Sequence, residues 1–352
     1  MEKIAVLGAG SWGTALAMVL NDNGHEVRLW THVAEHAEEI NRTHQNKAYL
    51  KDVVIPEAIH ATSDLVAALK EVSAVVFVLP TKAIRPVCQQ VKAVLDHHVT
   101  IIHGTKGIEP ETFKRVSEMM EEELDAACYD EIVVLSGPSH AEEVSVKQPT
   151  TVSASSKSIA SAEHAQQLFM NDRFRVYTNK DVLGVELGGS LKNIIALGAG
   201  ISDGLGYGDN AKAALVTRGL AEIARLGTAM GADPLTFIGL TGIGDLIVTC
   251  TSVHSRNWRA GNLLAKGNSL DDVLEQMGMV VEGVRTAQAA YHLAKVKGID
   301  MPITAGIYQI LFENADAQAM VDQLMTRTKR PETDEIHEML KAHYLKAYLT
   351  NE

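Results

Sequence analysis

The chain has 352 residues and a formal net charge of −12. That is length for about two domains of ~100–200 residues each, and a charge that argues against a general nucleic-acid binder. Cys88, Cys128 and Cys250 are far apart and form no C-x-x-C pair, so they read as reduced thiols of a cytoplasmic protein; with no clustered Cys/His set, no metal is implied. Gly8 and Gly10 break the apolar N-terminus, against a signal peptide, and no apolar run reads as approaching the ~20 residues of a membrane span.

Lys3–Leu7 has strand character and runs into Gly8-Ala9-Gly10-Ser11-Trp12-Gly13. Trp12, Ala15, Leu16, Val19 and Leu20 then fall on one helical face, Asn23-Gly24 stops the helix, and Glu26–Trp30 forms a second strand. Strand, glycine turn, helix and strand make the first unit of a dinucleotide-binding fold. Gly8 permits the tight turn, Gly10 leaves room for the pyrophosphate, and Gly13 lets helix and strand pack closely. First-turn N–H groups and the helix dipole then hold the phosphates. The second strand ends in Trp30-Thr31-His32-Val33, with no carboxylate to repel a 2′-phosphate. NADP(H), or both NADP(H) and NAD(H), therefore fits better than a strict NAD preference, with His32 either on the adenosine end or merely an exposed loop residue.

The next stretch, residues 46–62, is irregular and reads as a surface loop. Apolar runs at residues 74–79, 99–103 and 132–135 read as strands buried on both faces, hence a mostly parallel sheet. Two more strands are expected near residues 150–154 and 174–177, around a helix at 158–170. The strand-end loops carry suggestive chemistry: Thr105-Lys106-Gly107 places an ammonium at the mouth of the sheet, and Ser136-Gly137-Pro138-Ser139-His140-Ala141 offers hydroxyls and backbone N–H groups.

From Asp181 on, helical patterns take over. The fold expected is α/β, a Rossmann-like mostly parallel sheet domain over residues 1–182, followed by an all-helical C-terminal domain over residues 183–352. Within the apolar helix at 184–201, Lys192 has no carboxylate at i±3 or i±4, and burying such a lysine is costly unless something uses it. Desolvation would bring its pKa toward the range useful for proton transfer; the alternative is a lysine that snorkels to the surface. Arg218 and Glu222, spaced i and i+4, read as a helix-surface pair. Asp245 follows a glycine-rich turn and reads equally as a helix N-cap or as the partner of a cation such as Lys192. Ser255-Arg256-Asn257 opens a helix with a hydroxyl, a guanidinium and an amide, suited either to a small phosphate or to a structural cap alone. Glu282, after Val280-Val281, reads either as an acceptor for a cofactor amide or hydroxyl or as a surface residue. Further helices are expected at Pro302–Phe312 and 318–326, and an amphipathic one over Ile336, Met339, Leu340, His343, Tyr344 and Ala347.

Six motifs stand in order: Gly8-Ala9-Gly10-Ser11-Trp12-Gly13-Thr14-Ala15, Thr105-Lys106-Gly107, Ser136-Gly137-Pro138-Ser139, Gly188-Gly189-Ser190-Leu191-Lys192-Asn193, Gly242-Ile243-Gly244-Asp245-Leu246 and Ser255-Arg256-Asn257. Over residues 3–330 the chain resembles the bacterial-type NAD(P)-dependent sn-glycerol-3-phosphate dehydrogenases. The resemblance implies hydride transfer at C2 between glycerol 3-phosphate and dihydroxyacetone phosphate, feeding phospholipid synthesis in the cytoplasm, by an enzyme that commonly forms homodimers. It implies that Lys192 exchanges the proton at the C2 oxygen, that Lys106 touches cofactor and substrate and polarises the carbonyl, and that Asp245 orients the reacting groups. It places Gly137, Ser139, Ser255, Arg256 and Asn257 on the substrate. It places Ser11, Trp12, His32, Ala141, Arg256, Val280 and Glu282 on the cofactor. The stretch after about Arg330 runs longer than the family pattern. Two rival readings are a hydroxyacid or 6-phosphogluconate-type dehydrogenase of the same architecture, and a dinucleotide sensor without turnover.

Overall fold

A computed structural model describes residues 1–329, 331–332 and 340–341. The chain forms two compact units: Met1–Thr105 with Val116–Val182, and Lys106–Arg115 with the described residues from Leu183 onward.

The first unit contains β1 (Lys3–Leu7), α1 (Ser11–Asp22), β2 (Glu26–Trp30), α2 (Ala34–Thr43), β3 (Gln45–Asn46), β4 (Leu50–Val54), β5 (His60–Thr62), α3 (Leu65–Leu69), β6 (Ala74–Phe77) and α4 (Ile84–Val94). It continues through β7 (Thr100–His103), α5 (Val116–Glu123), β8 (Val133–Ser136), α6 (Ala141–Ser145), β9 (Thr150–Ser155), α7 (Ile159–Phe169) and β10 (Phe174–Asn179). Eight strands form one sheet in the order β10-β9-β8-β7-β6-β1-β2-β5. All neighbours are parallel except β8 and β9. Because crossover helices cover both faces, the central strands are apolar throughout. Ile4, Val6, Val76 and Ile102 pack one way with Leu16 and Leu20 of α1. Ala5, Leu7, Phe77 and Ile101 pack the other way with Cys88 and Val91 of α4 and Met120 of α5. The strand order reverses between β1 and β6, the switch point where such sheets bind ligands.

The surface loop expected at residues 46–62 is corrected. β3 and β4 form an antiparallel ribbon, and β5 extends the main sheet beside β2. Leu50, Ile55, Ile59 and Ala61 are at most 3% exposed, so this segment is anchored by its apolar side chains.

The second unit contains α8 (Val182–Gly204), α9 (Asp209–Met230), α10 (Asp245–Thr251), α11 (Arg256–Ala265), α12 (Leu270–Met277), α13 (Glu282–Lys297), α14 (Pro302–Phe312) and α15 (Ala317–Met325). Its core is built on α8, with Leu187, Leu191, Ile194, Ile195 and Leu197 all at most 1% exposed. The expectation that no apolar run approaches a membrane span is corrected by this helix. It is long and apolar enough by length and composition, but 94% of its 18-residue apolar window is buried inside the protein. Its hydrophobicity is that of a core helix packed on all sides.

The expected Arg218–Glu222 surface pair is also corrected. Glu222 is 2% exposed, and its carboxylate accepts from the N–H groups of Ile303 and Thr304 and from the Thr304 hydroxyl. It caps α14 from α9, satisfying first-turn N–H groups that have no intrahelical partners. Burial raises the Glu222 carboxyl to about 7 against the opposing pull of those hydrogen bonds. The amphipathic C-terminal helix expected from Ile336 to Ala347 falls on positions that, Leu340 and Lys341 apart, lie outside the described residues.

Candidate active site

In the first unit the glycine turn has the shape its sequence requires. Gly8 has φ +119°, and a Cβ there would lie 2.3 Å from the Val78 carbonyl oxygen. A Cβ on Gly13 would lie 1.9 Å from the Gly8 oxygen, so α1 and β1 can approach only with glycine at this position. Gly10 is different: nothing lies within 4 Å of a Cβ built on it. It is the N-cap of α1, which has neither a side-chain cap bond nor an acidic residue in its first turn. An open helix N-terminus of this kind attracts phosphate, so these residues fit a dinucleotide pyrophosphate.

The misread segment braces that turn. Asn46, fully buried, donates to the Ala9 oxygen at 2.8 Å and to Thr14 Oγ1 at 2.9 Å. Ser11 Oγ donates to the Tyr49 oxygen at 2.7 Å. The strand-end loops are also tied, since Thr105 Oγ1 donates to the Leu79 oxygen at 2.8 Å. Trp12 packs near Phe174 and under Gly104. His32 is exposed just past the end of β2. Gly137, with φ +150°, turns the chain after β8. Ser139 Oγ donates to the Gly137 oxygen, and Ala141 opens α6.

In the second unit Lys106, Lys192 and Asp245 meet. Lys192 Nζ donates to Asp245 Oδ1 and, at 2.6 Å, to Thr249 Oγ1. Lys106 Nζ donates to Asp245 Oδ2 at 2.5 Å. One carboxylate thus bridges two ammonium groups, one on each oxygen. Asp245 is 1% exposed and Lys192 6%, whereas the Lys106 side chain is 20% exposed. Between the two readings left open for Asp245, the geometry selects the cation partner; the N-cap position of α10 is Gly244. Lys192 has its carboxylate after all, supplied from another helix.

Local structure explains the meeting. A single π-type turn, Leu240–Gly244, precedes α10 and sets Asp245 at its start. A Cβ on Gly188 of α8 would lie 2.7 Å from the Thr241 oxygen, so glycine there lets this turn approach the lysine-bearing helix. Thr249, one turn after Asp245, donates to the Asp245 backbone oxygen at 2.6 Å and receives from Lys192.

Burial lowers Lys192 to about 8; the Asp245 carboxylate opposes the shift and the Lys106 charge reinforces it. Burial alone would raise Asp245, but the two lysines hold its carboxyl below the usual range. The pair is therefore a fixed anion beside an ammonium that can give up its proton near neutral pH.

Ser255 is the N-cap of α11, its Oγ accepting from the Trp258 N–H. Asn257 is buried: its Nδ2 donates to Asn193 Oδ1 at 2.9 Å, and its Oδ1 accepts from the Gly283 N–H at 2.9 Å. The first turn of α11 is thereby tied to the residue after Lys192 and to the start of α13, where Glu282 stands. Arg256 is exposed and donates to the Val280 oxygen at 3.1 Å. Sequence reasoning assigned nothing to Thr249, Asn193 or Asn46. An Asp-x-x-x-Thr spacing on a helix was the available signal for Thr249; nothing local marked Asn46.

An open helix N-terminus at a sheet switch point, with a depressed lysine held by a buried carboxylate in a helical unit, belongs to the nicotinamide-dependent oxidoreductases. Comparison with known proteins narrows the class. The family profile described as NAD-dependent glycerol-3-phosphate dehydrogenase N-terminus matches residues 3–162, and the corresponding C-terminus profile matches residues 181–322. A glycerol-3-phosphate dehydrogenase [NAD(P)+] of Oceanobacillus iheyensis is 67% identical over 344 residues, covering 98% of this chain and 99% of its own. That match reaches past Arg330, so the long C-terminal stretch is shared at least in part. The enzyme of the same name from Bacillus subtilis is 59% identical, covering 96% of this chain and 97% of its own. The crystal structure of a glycerol-3-phosphate dehydrogenase from Coxiella burnetii superposes with a TM-score of 0.88 at 40% identity, covering 93% of this chain and 99% of its own. The chain belongs to the NAD-dependent glycerol-3-phosphate dehydrogenase family.

Proposed function

We propose that this protein interconverts dihydroxyacetone phosphate and sn-glycerol 3-phosphate at C2, with Lys192 as the residue that exchanges the proton. The Lys106–Asp245–Lys192 cluster, buried at Asp245 and Lys192, carries this reading. The dinucleotide, when bound, supplies or accepts the hydride. Gly8, Gly10, Ser11, Trp12 and Gly13 hold it through the α1 N-terminus, and His32, Ala141, Arg256, Val280 and Glu282 are the further residues proposed to contact it. Without a carboxylate after β2, NADP(H) is accepted as well as NAD(H).

In the reducing direction the C2 oxygen gains negative charge as hydride arrives. Lys192 donates its proton to that oxygen and Lys106 polarises it. Asp245 keeps both ammonium groups close together, a placement that their mutual repulsion would otherwise oppose. Thr249 fixes the Lys192 rotamer by accepting one of its protons. The substrate phosphate is held by Ser255, Arg256 and the first-turn N–H groups of α11, and Gly137 and Ser139 are the further residues proposed to contact the substrate. The Asn257 side chain, tied to Asn193 and Gly283, holds the first turn of α11 in place, so that its backbone N–H can face the phosphate. Phosphate binding remote from C2 supplies the energy that positions the reacting carbon.

The three free cysteines suit a reducing cytoplasm, where the product enters phospholipid synthesis. A homodimer, implied by the family resemblance, is part of the same proposal. The test is to mix the purified protein with dihydroxyacetone phosphate and follow loss of NADPH, then NADH, by absorbance. Oxidation of either with sn-glycerol 3-phosphate as product is expected. A folded protein that binds NADPH without turnover, or prefers hydroxy acids, would overturn the substrate.

A further inference from the structure

Residues 106–115 leave the sheet unit after Thr105 and return to it at Val116, yet they pack with the helical unit. The segment is closed on itself. Ile108 and Arg115 form an antiparallel bridge, the Glu109 N–H donates to the Lys114 oxygen at 2.9 Å, and the Phe113 N–H donates to the Glu109 oxygen at 2.8 Å. Phe113 takes φ +61° at the tip, and Thr112 Oγ1 donates to the Glu109 carboxylate. Ile108 is 1% exposed in the helical core, and Phe113 packs on that core. One end of this strap carries Lys106 onto Asp245. The other carries Arg115, whose Nη1 donates to Glu186 Oε2 at 2.5 Å. The two side chains are 13% and 3% exposed.

We propose that the Arg115–Glu186 ion pair is a positioning device for Lys106: it anchors the strap to α8 and thereby sets the Lys106 ammonium at the reaction centre. Glu186 stands six residues before Lys192 on α8, about 9 Å along the helix axis. A single rigid helix therefore carries the proton-exchanging lysine and the anchor that places the polarising one. An ammonium on a four-carbon stem is flexible, and Lys106 lies on a segment whose neighbours in sequence belong to another unit. Asp245 holds the ammonium at its tip, but without a fixed backbone its distance from the C2 oxygen would drift, and a misplacement of about 1 Å costs on the order of 100-fold in rate. Zipping Ile108 to Arg115 makes the strap stiff enough for an anchor at one end to fix the other. This assignment rests on the role proposed for Lys106 above.

The test is a double-mutant cycle on the full-length enzyme with Arg115→Met, Lys106→Met and the double variant, each measured for kcat and KM with dihydroxyacetone phosphate and for NADPH binding by fluorescence. Arg115→Met should lower kcat by ~10–100-fold, leave NADPH affinity within about twofold, and have almost no further effect in the Lys106→Met background, because its influence passes through Lys106. Arg115→Lys should recover part of the rate. Equal loss in both backgrounds would overturn the proposal and leave a merely structural salt bridge. If Arg115→Met does not fold, Glu186→Gln serves in the same cycle, with the same expected collapse of its effect on kcat in the Lys106→Met background. A Lys106→Met enzyme with full turnover would instead refute the role of Lys106, and the anchor's function with it.

Discussion

Lys192 shows what one residue's surroundings decide. The sequence marks it as a lysine in apolar company with no carboxylate one turn away on its own helix. Its partner is 53 residues away on α10, held there by the π-type turn and the close approach at Gly188. That pairing was legible only as one of two possibilities for Asp245, because a carboxylate after a glycine turn satisfies an N-cap pattern equally well. The spacing of Thr249 from Asp245 was legible on the helix, but its contact with Lys192 was not, since that exists only once α8 and α10 are packed. Replacing Lys192 with Ala should lower kcat by ~10²–10⁴, the range for lost acid–base catalysis. NADPH affinity, measured by fluorescence titration, should stay near that of the wild type. Near-normal turnover would remove Lys192 from the mechanism.

Among elements, the long strands and helices were legible because their apolar runs and 3.6-residue periodicity extend over many residues. The β3–β4 ribbon was not: its strands have two and five residues, and β4 is buried only at its first and fourth positions. Its importance lies in Asn46, which reaches back to the glycine turn. Asn46→Ala should destabilise the fold by about 1–3 kcal/mol, the cost of leaving buried polar groups unpaired, and should weaken NADPH binding; urea unfolding and titration measure the two. Unchanged affinity would separate the ribbon from the cofactor turn. Glu222 was misread because i, i+4 spacing identifies neighbours on a helix but not which way that face points. Glu222→Ala should cost about 1–3 kcal/mol through the lost cap of α14. Its folded pKa, about 7, lies above the unmodified value of 4.5. The folded state therefore holds a proton that the unfolded chain has released, and this contribution is full below about pH 4.5 and is lost as pH rises through about 7. The Ala variant should lack that decline in unfolding experiments across the same window.

At the scale of the molecule, the sequence presents a sheet half and a helical half in succession, and the change in composition near Asp181 is plain. The excursion of residues 106–115 into the helical unit is not, because a glycine-flanked lysine after a strand reads as an ordinary connecting loop. Packing of Ile108 and the Arg115–Glu186 pair decides its allegiance. The consequence is chemical: all three members of the lysine–carboxylate cluster reside in one unit, so their relative geometry, and the pKa it creates, is built into a single core.

That pKa supplies the most direct test. The measurement is the pH dependence of kcat/KM for dihydroxyacetone phosphate reduction and for glycerol 3-phosphate oxidation, in the wild type. Reduction needs Lys192 charged, so its rate should fall as pH rises through about 8; oxidation needs the neutral amine and should rise across the same interval. Mirrored profiles crossing near that pH are the expected result. Profiles that are flat between about pH 7 and 9, or that move in the same sense in both directions, would contradict the assignment of Lys192 as the group that exchanges the proton.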